Sequence, residues 1–250
     1  MLIHPTLDKL ATLKLGGMVQ ALTEQLEMRE VEGLNFEERL GLLVDREMTE
    51  RHNRKLRLRL QKAHLRLTAV LEDIDYRLSR GLDKSMIVAL SACRWVEERH
   101  NVLVTGPTGV GKSYVACALA QKACRENYRA LYYRMPRLLQ DMAVARADGR
   151  YGKVLAHLLK HDVLVIDDWG LAPLEDAGRR DLLEILEDRY DRRSTIVVGQ
   201  IPVSAWHEMI GDPTLADAIL DRLVHRAYQI QMKGESMRKT EPDPENWTGQ

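Results

Sequence analysis

Residues 101–113 read NVLVTGPTGVGKS, and this stretch decides which fold the chain is expected to adopt. Five strand-forming residues, NVLVT, are followed by eight that match the pattern G-x-x-x-x-G-K-[ST] at each fixed position, and a helical run, 114–123, comes next. A strand, a glycine-rich turn and a helix in this order are typical of a phosphate-binding loop, in which backbone N–H groups and a helix N-terminus surround the phosphates. The stretch therefore predicts a nucleotide-binding α/β domain.

The loop supplies most of the expected nucleotide-binding residues. Lys112 is expected to reach the β- and γ-phosphates of ATP, and the Ser113 hydroxyl to ligate Mg²⁺. A chance GKS in a glycine-rich turn is the alternative, which the flanking strand and helix disfavour. The full expected set is Gly106, Pro107, Thr108, Gly109, Val110, Gly111, Lys112, Ser113 and Tyr114.

A second motif follows downstream, where residues 163–168 read VLVIDD. Four apolar β-formers predict a buried strand that ends in two carboxylates. In P-loop proteins the first acid, here Asp167, holds the Mg²⁺ shell, and the second, here Asp168, can polarise the attacking water. The alternative is that the two acids only begin a loop or cap the next helix. Their position after a phosphate loop favours the metal and water roles.

Outside these motifs, short β-rich runs alternate with helical segments. Such alternation predicts a parallel sheet with helices on its faces. Residues 1–75 read as helical, with Asn35 as an expected N-cap for a helix whose first turn holds Glu37 and Glu38. We expect a helical DNA-binding and assembly domain over 1–75, an ATPase domain over 76–240 and a disordered tail over 241–250. The five expected strands are 101–105, 130–134, 163–167, 195–200 and 227–231.

Composition limits the class of protein. The chain has 250 residues, 45% apolar and 30% charged, which is typical of a globular protein with a core. No apolar run approaches the roughly 20 residues that a membrane span needs, and no signal-peptide pattern is present, so a cytoplasmic protein with no membrane partner is expected. Cys93, Cys117 and Cys124 lack disulfide or zinc-ligand spacing and are expected to be small buried side chains.

The ordered set of motifs resembles a known family. GPTGVGKS, VLVIDDWG, TIVVGQIPVSAWHEMI, ILDRLVHRA and GESMRK, together with LKLGGMVQAL near the N-terminus, are similar to the IstB-like transposition helper ATPases, AAA+ proteins related to DnaC-type helicase loaders. The resemblance implies that Gln200 is the sensor 1 residue that orients water and γ-phosphate. It implies that Arg222, or otherwise Arg226, is an arginine finger offered to a neighbouring subunit, and that Arg238 is the sensor 2 arginine.

The resemblance also implies an activity and partners. We expect ATP and Mg²⁺ bound at subunit junctions of a homo-oligomer that assembles on DNA, duplex rather than single-stranded, and assists a cognate transposase. One departure affects the expected rate: many AAA+ proteins carry Asp-Glu after the third strand, whereas this chain carries Asp167-Asp168. The shorter Asp168 favours slow hydrolysis. A helicase loader, a small-molecule kinase and a non-catalytic nucleotide-gated DNA-binding module remain as alternatives.

Residues 51–66, RHNRKLRLRLQKAHLR, hold seven Lys and Arg, two His and no acid. Five cations recur at +4, +4, +3 and +4, which places them on one face of a helix and predicts contacts with DNA phosphates: Arg51, Lys55, Arg59, Lys62 and Arg66. A solvated helix face is the alternative, although such faces normally mix signs. The resemblance adds Arg146, Arg150 and Lys153 as expected DNA-facing residues of the ATPase domain.

Overall fold

The computed structural model describes residues 5–28, 33–77 and 80–237. Its strands are β1 (Asn101–Thr105), β2 (Ala130–Arg134), β3 (Val163–Trp169), β4 (Ser194–Gly199) and β5 (Ala227–Gln231). Short 3₁₀ turns lie at Leu71–Asp73 and Val203–Ala205. The helices are α1 (Pro5–Thr12), α2 (Gly16–Glu27), α3 (Phe36–Ala63), α4 (Lys84–Ser91), α5 (Arg94–Glu97), α6 (Lys112–Arg125), α7 (Met135–Ala147), α8 (Tyr151–Leu159), α9 (Asp176–Arg189), α10 (Trp206–Ile210) and α11 (Pro213–Val224).

The five strands form one parallel sheet in the order β2-β3-β4-β1-β5. This confirms the predicted five-stranded parallel sheet, and each strand lies within two residues of its predicted bounds. All residues of β1 and β4 are buried. Such burial is expected where helices cover both faces of a parallel sheet, and it explains why these strands are continuous apolar runs rather than alternating ones.

One large apolar cluster joins β3 and β4 to helices α7, α8, α9 and α11. The indole rings of Trp169 and Trp206 pack there with their centroids 5.2 Å apart, and both side chains are buried. Trp169, directly after the two acids, therefore packs in the core. The thiols of Cys93, Cys117 and Cys124 are free and buried, as predicted.

Cα packing divides the chain into two compact units, Met1–Leu58 and Arg59–Gln250. The expected domain boundary at residue 75 stays a prediction, and the expected tail, 241–250, and Arg238 lie outside the described residues. In the first unit, Asn35 caps α3 as predicted: its Oδ1 accepts from the Glu38 N–H at 2.9 Å, and a Glu38 carboxylate oxygen accepts from the Asn35 N–H at 2.9 Å. This reciprocal capping box starts the helix.

The prediction of helix throughout residues 1–75 was wrong beyond Ala63, where α3 ends. His64 has a φ of +49°, the left-handed conformation that closes many helices, and Ala63 is fully buried. Within the described residues that follow, only Leu71–Asp73 forms a helical turn before α4. No helix in the described ranges is both long and apolar enough to cross a bilayer.

Candidate nucleotide-binding site

The strand order brings the two motifs together. β4 lies between β1 and β3, and all three strands are parallel, so their carboxyl ends share one edge of the sheet. Ligands of open parallel sheets bind at this edge. One cleft there is lined by residues from the loop after β1, the end of β3, the residue after β4 and the segment after α3: Arg66, Thr108, Gly109, Lys112, Ser113, Asp167, Asp168, Val198, Gly199 and Gln200.

The loop has the backbone conformation that a phosphate cradle requires. Gly106, Gly109 and Gly111 have φ values of +147°, +87° and +98°, which residues other than glycine rarely adopt. Because of these turns, successive N–H groups can point to one side, towards a bound anion. Helix α6 begins immediately afterwards at Lys112, so its positive N-terminal end faces the same side.

Lys112 is the central cation of the cleft. Its side chain is 9% exposed, and its Nζ donates to the Pro107 carbonyl oxygen at 2.7 Å, inside the loop. Burial lowers the pKa of Lys112, whereas the charges of Asp167 and Asp168 raise it. A partly desolvated ammonium of this kind interacts strongly with phosphate charge, because little water screens it.

Asp167 is 2% exposed and is held by polar partners. Its Oδ2 accepts from the Tyr132 hydroxyl at 2.6 Å and lies 3.9 Å from Nη1 of Arg66, and its Oδ1 accepts from the Asp168 N–H at 2.7 Å. Burial, and then the hydrogen bond to Asp167, raise the pKa of Tyr132, so the hydroxyl stays a donor. These contacts fix the carboxylate at the cleft floor.

Asp168 lies in an irregular part of β3. The pairing of β3 with β4 shifts register between Ile166 and Trp169, and Asp168 has a φ of +59°. The bulge turns the Asp168 side chain into the cleft, where its Oδ2 pairs with Nε of Arg134 at the end of β2. Aspartate tolerates this backbone conformation better than most residues, which is consistent with Asp at this position.

Two further segments complete the cleft. Gln200 follows β4, and its Oε1 accepts from the Thr108 hydroxyl at 2.9 Å, which joins the expected sensor 1 position to the loop. Residues 232–237, called the covering segment below, lie across the loop: the Met232 N–H donates to Thr105 O at 2.7 Å and the Met237 N–H to Gly109 O at 3.0 Å. This segment leaves no room for a side chain at Gly109, where an added Cβ would lie 2.6 Å from Cβ of Ser236.

The residues of the cleft fit a nucleotide with Mg²⁺. The Ser113 hydroxyl and one Asp167 carboxylate match the small number of protein oxygens that Mg²⁺ takes when phosphates and water complete its shell. The positive-φ glycines and Lys112 match a polyphosphate. Both halves of the predicted donor set therefore lie on one cleft.

Comparison with known proteins agrees with this geometry. Residues 8–243 match the family model described as IstB-like ATP binding protein. The chain belongs to this family. It is 54% identical to the insertion sequence ATP-binding protein y4pL of Sinorhizobium fredii, over 96% of this chain and 98% of that protein. It is 34% identical to the IS21 ATP-binding protein of Pseudomonas aeruginosa, over 94% of this chain and 88% of that protein.

Solved structures show the same fold. The crystal structure of DnaI matches with a TM-score of 0.56 at 21% identity, over 70% of this chain and 93% of that chain. The crystal structure of the DnaC helicase loader matches with a TM-score of 0.51 at 21% identity, over 60% of this chain and 87% of that chain. The IstB-like chain thus has the AAA+ P-loop fold that its motifs predicted, and it is an ATP-binding protein.

The two residues expected as arginine fingers, Arg222 and Arg226, lie at the other end of the sheet. The carbonyl oxygen of Arg222 accepts from Asn101, the first residue of β1, at 2.9 Å. The Arg222 guanidinium pairs with Glu187 and donates to Ala218 O, and it shares a small basic cleft with Arg226. Neither residue lines the phosphate cleft of its own chain. Arg238 lies outside the described residues, and the roles of all three stay predictions.

The structure separates the five cations of the expected DNA face. Arg66 follows α3 instead of lying on it, which corrects the prediction of one continuous helical face through this residue. Arg51 pairs with Glu47 at 2.6 Å, and Nε of Arg59 donates to the Cys124 carbonyl oxygen at 2.9 Å. Lys55 and Lys62 are exposed on α3. Their DNA contacts stay a prediction.

The expected DNA-facing residues of the second unit also differ from one another. Arg146 pairs with Asp181 and stacks over the Tyr151 ring at 4.2 Å, and Arg150 pairs with Asp148, whereas Lys153 is exposed. Lys153 and Arg150 line a cleft between α7 and α8. Both members of the Arg150–Asp148 pair are exposed, and such pairs exchange readily, so this pairing does not prevent a contact of Arg150 with phosphate. Asp181 is buried, so Arg146 is held more firmly than Arg150.

Sequence reasoning missed Tyr132 and Arg134, which contact the two acids. Both lie on β2 beside β3, where Tyr132 pairs with Val165 and Arg134 with Asp167 in the backbone register. A usable signal was present, since polar side chains at the carboxyl end of a parallel strand face the ligand edge. For Arg66, no local pattern indicates a contact with Asp167.

Proposed function

We propose that the protein is an ATPase that assembles on DNA as an oligomer and assists the transposase of an insertion sequence in selecting its target site. The observation that carries this proposal is the meeting of Lys112, Ser113, Asp167 and Asp168 on one cleft in a chain of the IstB-like family. The relatives named as insertion sequence ATP-binding proteins support the link to transposition.

The chain's own residues account for the proposed reaction. Lys112 and the loop N–H groups bind the β- and γ-phosphates, and Ser113 and Asp167 hold Mg²⁺, which offsets negative charge on these phosphates. Asp168 orients a water molecule, whose oxygen bonds to the γ-phosphorus as the bond to the β,γ-bridging oxygen breaks. Gln200, fixed by Thr108, is placed to hold the same water or the departing phosphate. Arg134 must release Asp168, at least in part, for this carboxylate to take up the water proton.

The place of Arg222 supports an oligomer. β1 runs from Asn101 beside Arg222 to the phosphate loop, so the two features lie at opposite ends of this strand. Five residues of parallel strand span about 16 Å, which a guanidinium cannot bridge to reach its own loop. Stacking of subunits head to tail would place Arg222 of one chain at the loop of the next, as in a heterologous assembly.

One experiment tests the DNA and nucleotide parts of the proposal together. Fluorescence anisotropy of labelled duplex and single-stranded DNA is measured with wild-type protein in ATP, in ADP and without nucleotide. We expect tighter binding to duplex DNA in ATP, and loss of the ATP effect in Lys112→Ala. Preference for single strands would favour a helicase-loader-like role, and the absence of DNA binding in all conditions would contradict the proposal.

The exposed lysines of α3 provide a sharper test of the DNA surface. In a Lys55→Gln, Lys62→Gln double variant, the slope of log affinity against log salt should become shallower by about two units, since each phosphate contact contributes ~0.9 on duplex DNA. Gln preserves helix propensity. A Lys9→Gln, Lys14→Gln variant, which removes two exposed lysines from the α1 region, is the matched control and should keep the wild-type slope. Equal slopes in all three proteins would exclude this face.

The link to transposition needs a functional readout. With purified transposase of the same insertion sequence and donor DNA ends, wild-type protein in ATP should increase integration into target DNA, and Lys112→Ala should not. A transposase that integrates equally well with and without the protein would contradict the helper role. DNA binding and ATP turnover could remain in that case, which would indicate a different client.

A further inference from the structure

Arg66 is a cation of the nucleotide cleft that the phosphate-loop motif does not include. Its side chain lines the cleft together with Lys112, Ser113 and Gln200, and its Nη1 lies 3.9 Å from Oδ2 of Asp167. A hydrogen bond from Arg66 also lowers the pKa of the nearby Tyr132 hydroxyl, although burial raises this pKa by more. The arginine thus stands beside the Asp167 carboxylate in the cleft.

The backbone around Arg66 is anchored to the helix that carries the loop. Backbone hydrogen bonds from Leu67 and Arg66 reach the Cys117 thiol of α6. They lower the pKa of this thiol, whereas burial raises it. The Tyr114 hydroxyl, one turn earlier on α6, donates to the Val70 carbonyl oxygen at 3.3 Å. Since α6 begins with Lys112 and Ser113, the backbone that carries Arg66 is attached to the helix that carries these two residues.

The guanidinium has donors available for a ligand. At 3.9 Å, its contact with Asp167 is longer than the roughly 2.8 Å of a charge-assisted hydrogen bond. The same Asp167 oxygen already accepts from Tyr132 at 2.6 Å. The Arg66 side chain is 41% exposed on the cleft, and a guanidinium carries five N–H donors in a planar fork that matches two phosphate oxygens.

We propose that Arg66 binds the terminal phosphate of the nucleotide held by its own chain, and so distinguishes ATP from ADP. Because Arg66 lines the cleft beside Asp167, a terminal phosphate held by Lys112 and by a cation on Ser113 and Asp167 would lie within its reach. ADP ends one phosphate earlier and does not reach it. The inference deepens the proposed function and rests on nucleotide binding in this cleft, but not on DNA binding or on a transposase.

The test compares nucleotide affinities, without reference to turnover. Fluorescently labelled ATP and ADP are titrated, each with Mg²⁺, against wild-type protein, Arg66→Gln, Arg66→Lys and Lys160→Gln. In Arg66→Gln, ATP affinity should fall by about 10- to 100-fold, the usual effect of losing a hydrogen bond to a charged group, while ADP affinity changes little. Arg66→Lys keeps the charge but not the planar fork of donors, so its ATP affinity should lie between those of wild type and Arg66→Gln.

Lys160→Gln is the control, since it removes an exposed cation of the same unit that does not line the nucleotide cleft. It should keep the wild-type ratio of ATP to ADP affinity. An equal fall for ATP and ADP in Arg66→Gln would overturn the proposal and indicate a structural role, and unchanged affinities with weakened DNA binding would assign Arg66 to DNA. Wild-type protein that binds neither nucleotide would contradict the proposed function as well. Loss of ATP affinity with normal DNA binding would support Arg66 even if the transposition role failed.

Discussion

At the residue scale, the proposed ATP hydrolysis depends on where the Asp168 carboxylate lies. The bulge at the end of β3 and the positive φ of Asp168 direct a short side chain into the cleft, beside Arg134. Asp167 is fixed by Tyr132 on a regular part of the strand. The two adjacent carboxylates therefore have different surroundings, which suit Asp167 to the proposed metal ligation and Asp168 to the proposed orientation of water.

Replacing Asp168 with Asn tests this division. We expect Asp168→Asn to bind ATP about as well as wild type, because the phosphate contacts of Lys112 are intact. ATP hydrolysis should slow by about 10²- to 10⁴-fold, the usual loss when a positioned base is removed. Phosphate release and nucleotide titration are measured on the same preparation. Turnover at the wild-type rate would show that another group orients the water.

Gly109 allows a second test at this scale. Gly109→Ala places a Cβ where Ser236 of the covering segment lies, in addition to the strain of a φ of +87°. ATP affinity should fall by more than about tenfold, because the loop or the covering segment must move. Gly149→Ala is the control, since Gly149 has a φ of +73° with no atom within 4 Å of the added Cβ. It should cost about 1–2 kcal/mol of folding stability and leave ATP affinity unchanged. Equal effects of the two changes on ATP affinity would contradict the contact.

At the scale of elements, close backbone approach governs the packing of α2 on α3 in the first unit. A Cβ at Gly17 would lie 2.7 Å from the Cα of Glu47 and 2.8 Å from the carbonyl oxygen of Arg46. The Glu47 carboxylate accepts from the N–H groups of Gly17 at 2.7 Å and Met18 at 3.2 Å, at the start of α2. The two helices therefore share a contact in which α3 provides the cap of α2.

Alanine substitutions at the adjacent Gly16 and Gly17 distinguish the effect of this contact on stability from the effect of helix propensity. Gly17→Ala should destabilise the first unit by about 2 kcal/mol or more, since the atoms it meets are backbone and cannot rotate away. Gly16→Ala, at a position with no atom within 4 Å, should be neutral or stabilising by about 0.5–1 kcal/mol. Urea unfolding of both variants, followed by far-ultraviolet circular dichroism, measures the difference. Equal stabilities would exclude the close approach.

At the scale of the whole molecule, the nucleotide cleft lies at the carboxyl ends of the strands, and the basic cleft of Arg222 lies at their amino ends. This arrangement favours an active site that is completed by a neighbouring chain. In the single chain the guanidinium of Arg222 pairs with Glu187. Release from this surface ion pair costs little, because such pairs contribute about 0–1 kcal/mol.

Mixing two inactive variants tests the shared site. Lys112→Ala removes phosphate binding but keeps Arg222, and Arg222→Ala keeps phosphate binding. Each variant alone should have little ATPase activity. A mixture should recover part of it, because an intact Lys112 then meets an intact Arg222 at some junctions. Arg193→Ala, a change in the same basic cleft, is the control for Arg222→Ala and should keep ATPase activity on its own. No recovery in mixtures shown to co-assemble would contradict a trans role for Arg222.

Local sequence determined much of this protein. Short-range patterns predicted the GPTGVGKS loop between β1 and α6, the acids at the end of a buried strand, the Asn35 cap and five parallel strands. They could do so because periodicity, capping and turn chemistry involve residues close in the chain. The ordered motifs also indicated the family, which the comparisons show.

Only the tertiary structure decided which groups surround those motifs. Arg66 meets Asp167, Arg134 meets Asp168 and residues 232–237 cover the loop through contacts between distant parts of the chain. The end of α3 at Ala63 likewise follows from burial of that side chain and a left-handed His64, whereas the charge pattern alone predicted a longer helical face. Charge repeats show which side chains can share a face. Which partner each charge meets depends on the strand order and on the helices packed against the sheet.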